Sequence, residues 1–100
     1  MRELLVKFDE PISDPRGAMY FAHAFGTQRD DGLWEGWLEF IGADENASIC
    51  SSGRETTQPN RADVEYWAQG LSRVYLQGAL ARAQSSVEIP TDRTGREASR

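Results

Sequence analysis

Two long apolar-rich segments, set either side of a turn signal, constrain this chain more than any other feature. MYFAHAFGTQ occupies residues 19–28, Asp30, Asp31 and Gly32 follow, and LWEGWLEFI fills 33–41. Aromatic-rich runs bounded by Asp and Gly read as a β-hairpin. With Asp31 and Gly32 as the central residues of a two-residue turn, Gly26 lies opposite Trp37 and Thr27 opposite Gly36. A three-residue turn would set Gly26 against Gly36, two residues with no side chain to pack, so the shorter turn is preferred. In that register Phe21, His23, Phe25, Trp34, Leu38 and Phe40 share one face, and Tyr20, Ala22, Ala24, Glu35, Trp37, Glu39 and Ile41 share the other. An isolated carboxylate is costly to bury, so the face with Glu35 and Glu39 is expected to meet water or a partner, and the first face forms the core.

The flanking segments complete an outline. ELLVKF at 3–8 reads as a first strand, closed by Pro11 and the turn-rich SDPRG at 13–17. ASICSS at 47–52 reads as a fourth strand returning along the far edge of 33–41. Asn60 is a good helix N-cap, with Asp63 and Glu65 in the first turns where the helix dipole favours negative charge. From there Val64, Trp67, Leu71, Val74, Tyr75, Gly78 and Ala81 recur at helical spacing. Leu76 and Leu80 point nearly the opposite way. Either they form an exposed contact strip on one long helix, or the helix breaks near Gly70 and Ser72 caps a second segment that turns them inward; Gly70, a natural helix end, favours the break. The expected fold class is α+β, an antiparallel meander of three to four strands packed on one long or broken C-terminal helix. Residues 1–83 form a single domain. Residues 84–100, with only Val87 and Ile89 as large apolar groups, form a flexible tail.

Composition narrows the function classes. At 100 residues and 39% hydrophobic, the chain has material for one core. No stretch approaches the roughly 18 apolar residues of a membrane span, and the opening MRELLVKFDE is too polar for a signal peptide, so a cytoplasmic protein without membrane attachment is expected. Cys50 is the lone cysteine, which excludes an internal disulfide; neither a metal site nor a cofactor is expected. The net charge is −5, and no basic residue lies between Arg29 and Arg54, where Asp30, Asp31, Glu35, Glu39, Asp44 and Glu45 all fall. Such a surface repels phosphate, which argues against nucleic acid as a partner. It reads as a solvated sheet face or as a patch that steers a basic partner.

No residue stands out as catalytic. His23, the only histidine, sits in mid-strand across from Phe40 and reads as a core imidazole, two strands from Cys50 and too far to activate it. Glu35 and Glu39 are about 13 Å apart along one strand, beyond the roughly 6.5–9.5 Å of a two-carboxylate glycosidase. No phosphate-cradling glycine motif, zinc-helix motif or nucleophile elbow occurs. RETTQPN at 54–60 is the densest polar segment; Arg54, Glu55, Thr56 and Thr57 could surround a small anion or metabolite at the start of the following helix, or only satisfy loop backbone. Trp37 either covers Gly26 across the hairpin or joins Tyr20, Ile41, Ala22 and Ala24 as an apolar patch with an acidic rim.

The strings WEGWLEF (34–40), RETTQPN (54–60), YWAQGL (66–71) and VYLQGALARA (74–83) resemble a small family of uncharacterised bacterial single-domain proteins over most of residues 18–83. That resemblance implies no particular activity, ligand or catalytic residue. The functional expectation is therefore a small non-catalytic interaction module, docking on a protein partner or on itself through Tyr20, Glu35, Trp37, Glu39 and Ile41. The alternative is a small-ligand binder or minor enzyme using Arg54, Glu55, Thr56 and Thr57; whether the chain is an enzyme stays open.

Overall fold

A computed structural model describes residues 1–44 and 48–88. The order is β1 (Glu3–Lys7), β2 (Ile12–Ser13), β3 (Met19–Gln28), β4 (Trp34–Gly42), β5 (Ile49–Gln58), α1 (Arg61–Gln69) and α2 (Arg73–Glu88). The strands form one antiparallel sheet in the order β1-β3-β4-β5, with the short β2 pairing β3 beyond β1. This is the expected α+β class, with five strands and two helices. The segment 89–100, part of the expected tail, lies outside the described residues, and α2 itself runs past residue 83 to Glu88.

The hairpin register differs by one residue from the expectation. Gly26 pairs with Gly36, Phe25 with Trp37 and Ala24 with Leu38. The turn is the three-residue one: the Arg29 N–H donates to the Leu33 carbonyl at 2.7 Å, Gly32 donates to Arg29 at 3.0 Å, and Gly32 takes φ +90°. A positive φ at the third loop position is the glycine-bulge form of such turns, and Gly32 supplies it without steric cost. A one-residue shift turns every β3 side chain to the other face. Tyr20, Ala22 and Ala24 therefore lie in the core beside Leu38 and Phe40, and Phe21, His23 and Phe25 lie outside.

The helices explain why the glycines face each other. A Cβ on Gly36 would stand 2.7 Å from the Trp67 ring and 3.0 Å from Val64 and Thr56 methyls, and one on Gly26 would meet Leu5 at 3.1 Å and Val64 at 3.5 Å. The side chains absent from the strands are replaced by those of α1. Small residues recur across this face, and the bulk of the core comes from Val64, Leu76 and Leu80 on the helices together with Leu38, Phe40 and Ile12. Each such side chain contributes roughly 1.5–3 kcal/mol by leaving water.

The helix is interrupted where Gly70 stands. The Asn60 carboxamide accepts the Asp63 N–H at 2.9 Å to open α1, and the Gly70 N–H closes it on the Tyr66 and Trp67 carbonyls, both at 3.2 Å. The Ser72 hydroxyl then accepts the Tyr75 N–H at 3.1 Å and starts α2 in a new direction. This change of axis buries Leu76 and Leu80 and leaves Val74 exposed, so the leucines form no outer strip. Asp14 locks α2 to the β2–β3 turn. One carboxylate oxygen accepts the Arg16 and Ala18 N–H groups and the other accepts the Gln84 amide at 2.9 Å. The Gln84 hydrogen bond, with help from those backbone donors and against the effect of burial, holds the Asp14 carboxyl below its usual range.

Candidate functional site

Both helices cover the same side of the sheet, and among the described residues no element covers the opposite side. Its side chains fall into rows across the strands. Thr27, Glu35 and Thr57 form a polar row; next come Leu4, Phe25, Trp37 and Arg54, then Lys7, His23, Glu39 and Ser51, and last Phe21, Ile41 and Ile49. Met19 extends the last row. Of the residues expected to bind a partner, Glu35, Trp37, Glu39 and Ile41 do share this face. Tyr20 does not: it is 7% exposed on the helix side, where its hydroxyl meets the Gln84 amide at 3.4 Å.

The aromatic row is largely covered by the chain itself. Phe25 and Trp37 stack with ring centroids 6.1 Å apart, and the Arg2 guanidinium lies 4.2 Å above the Phe25 ring. The same guanidinium hydrogen-bonds Glu39, whose carboxylate also accepts the Trp37 indole N–H at 3.1 Å. Burial by itself raises the Glu39 carboxyl, and these two donors outweigh it and hold the group below its ordinary value. Glu35 lies 3.7 Å from the Arg29 guanidinium. The two glutamates are thus neutralised within the chain. The expected role of Trp37 as a cover for Gly26 gives way to stacking on Phe25, a direct result of the register.

What stays uncovered is the row beyond. Ile49 is 65% exposed and Met19 39%, while Phe21 and Ile41 are half-buried. Phe21 and Ile41 form the floor of a cleft of about 280 Å³, completed by Phe8 and rimmed by Lys7, Asp9 and His23. His23 lies across from Glu39, not Phe40. Burial first, then the neighbouring Lys7 ammonium, lowers its pKa against the opposing pull of Glu39, which favours the neutral imidazole. Sequence reasoning missed Phe21, His23 and Ile49 on this face. A usable signal was present: Ala22, Ala24 and Gly26 are too small to fill a core alone, but they make room for a bulky helix.

The polar segment 54–58 is strand, not loop. Gly53, at φ +75°, sits within a register shift against β4, beyond which Arg54 stands opposite Trp37 on the outer face. Glu55 turns to the helix side, accepting the Tyr75 hydroxyl and the Arg82 guanidinium, the latter at 2.6 Å, with its side chain 7% exposed. Thr56 packs beside Gly36 and accepts the Gln58 amide at 2.7 Å, while Thr57 is exposed. The four residues expected to surround a ligand are divided between two faces and do not converge.

Cys50 lies on the core face opposite Phe40, with its thiol pKa pushed up by burial, whereas His23 points outward; the sheet separates them. Among the described residues no three His, Cys, Asp or Glu side chains group as a metal site, and no helix is long and apolar enough to cross a membrane. No family model, curated protein or solved structure matches the chain.

Proposed function

We propose that this chain is a small non-catalytic interaction module that docks on a protein through the outer face of its sheet. The observation that carries this reading is the uncovered apolar row of Phe21, Ile41, Ile49 and Met19 on a sheet whose other side is packed against the helices. An antiparallel sheet tolerates water on one face when that face is polar. Here the two glutamates are paired with Arg2 and Arg29, and the row of Met19, Phe21, Ile41 and Ile49 is apolar from end to end. Contiguous exposed apolar patches rimmed by polar residues mark interaction sites. Catalysis finds less support, because His23, Cys50 and Glu55 lie in three separate environments.

The test uses tagged chain expressed in its native host, with copurifying proteins identified and then reconstituted in pure form. Binding by the wild type and loss of it in Ile41→Asp and Ile49→Asp, each verified as folded by its thermal transition, is the expected result. Reconstituted partners that bind these variants as tightly as the wild type would refute docking through this face.

A further inference from the structure

We infer that the occupant of the outer face is a second copy of this chain, held by a two-fold contact in which Lys7 of each protomer pairs with Asp9 of the other. The inference rests on the docking role proposed above and adds the identity of the partner. Lys7 and Asp9 rim the same cleft, both are exposed, and neither forms an ion pair with any described residue. The two glutamates of this face are already paired, Glu39 with Arg2 and Glu35 with Arg29, and Arg54, opposite Trp37, does not line the cleft. A contact around a two-fold axis presents the same patch twice, so residue i meets j′ and j meets i′. Neighbouring opposite charges, each without an ion-pair partner among the described residues, fulfil that condition when the axis passes beside them. A heterologous acidic or basic protein would leave one of the two opposed.

The apolar surface fits as well. Beside the charges lie Phe21 and Ile41, which two copies would bring face to face with Ile49 and Met19 around them. At ~3.3 Å rise and ~4.8 Å spacing, the strand residues of β1, β3, β4 and β5 give a face of roughly 540 Å² per copy, hence roughly 1,100 Å² in all. That is the size of a weak, reversible association. The resulting complex is a reversible dimer that dissociates on dilution.

Sedimentation velocity of the full chain, from about ten micromolar to about one millimolar, reads the dimer directly. The wild type is expected to move from monomer toward dimer over this range. Lys7→Asp and Asp9→Lys each place like charges together twice and are expected to weaken the dimer at least tenfold, while the double exchange Lys7→Asp with Asp9→Lys recovers most of the loss. Both positions are exposed, so the variants should fold with unchanged thermal transitions. A wild type that stays monomeric throughout overturns the second-copy assignment. So does a dimer in which the single reversals change nothing or the exchange fails to restore. Ile41→Asp separates this failure from that of the broader reading: a strictly monomeric chain whose reconstituted partner is lost on Ile41→Asp is a module for a different protein, and one that loses no partner fails on both counts.

Discussion

Replacing Gly36 by alanine tests the packing that fixes the sheet register. The added methyl would lie 2.7 Å from Cζ3 of Trp67 and 3.0 Å from methyl carbons of Thr56 and Val64, all on side chains held between strand and helix. Carbon–carbon contacts are optimal at about 3.5–4.0 Å, so α1 must move outward by several tenths of an ångström or Trp67 must leave its rotamer. Forcing an extra methyl into a packed site costs about 1–3 kcal/mol. Restricting the unfolded chain returns about 0.4–1 kcal/mol. The net loss should be roughly 1–2 kcal/mol, or roughly 4–15 °C in the melting temperature of a domain this small. Urea unfolding followed by tryptophan fluorescence should show a lower midpoint at unchanged slope. Trp67→Leu gives the check: in that background the alanine should cost markedly less, because contacting residues are not additive. Gly36→Ala as stable as the wild type, or an equal cost in both backgrounds, would refute the view that the paired glycines exist to seat Trp67.

Gly78 supplies the opposite case, since a methyl there meets nothing closer than Arg82 Nη1 at 3.7 Å; Gly78→Ala should raise stability by about 0.5–1 kcal/mol in thermal unfolding. His23 should make stability fall as the pH drops below about 6.5, because the unfolded chain takes up the proton before the folded one, whose imidazole pKa is lowered by burial and Lys7. Urea titrations between pH 8 and pH 5 should show this decline in the wild type and a smaller one in His23→Asn; equal slopes would count against the placement of the ring. Cys50, buried with its thiolate disfavoured, should react with a thiol reagent only through opening of the sheet, and labelling should accelerate with urea in step with unfolding. Rapid labelling of the native protein would place the thiol elsewhere.

Whether the sequence disclosed a strand's orientation depended on whether the strand carried a charge that could not be buried. In β4, Glu35 and Glu39 exclude their face from the core, and the assignment of Leu38 and Phe40 inward and Trp37 and Ile41 outward follows from them alone. In β3 no such residue exists: Phe21, His23 and Phe25 are as suited to a core as Tyr20, Ala22 and Ala24. Its orientation was inferred through the turn, where a two-residue and a three-residue loop differ by one position and therefore by the whole face. The helix break, by contrast, was legible because Gly70, Ser72 and the opposed Leu76 and Leu80 agree on a change of axis.

The decisive information about β3 resides in a third partner that cross-strand pairing leaves out. Two glycines opposite each other are a poor pair in an isolated hairpin, but they form a trough into which Val64 and Trp67 settle once α1 lies across it. The register that looks weakest in two dimensions thus gives the closest packing in three. That choice also composes the outer face. Seating the helix on the small residues of β3 obliges Phe21, His23 and Phe25 to face away from it; Arg2 and Trp37 cover Phe25, and Phe21 is left beside Ile41 at the cleft. The surplus apolar surface offered to a partner is therefore the counterpart of the core's demand for small side chains, and a substitution such as Gly36→Ala that loosens the first should disturb the second.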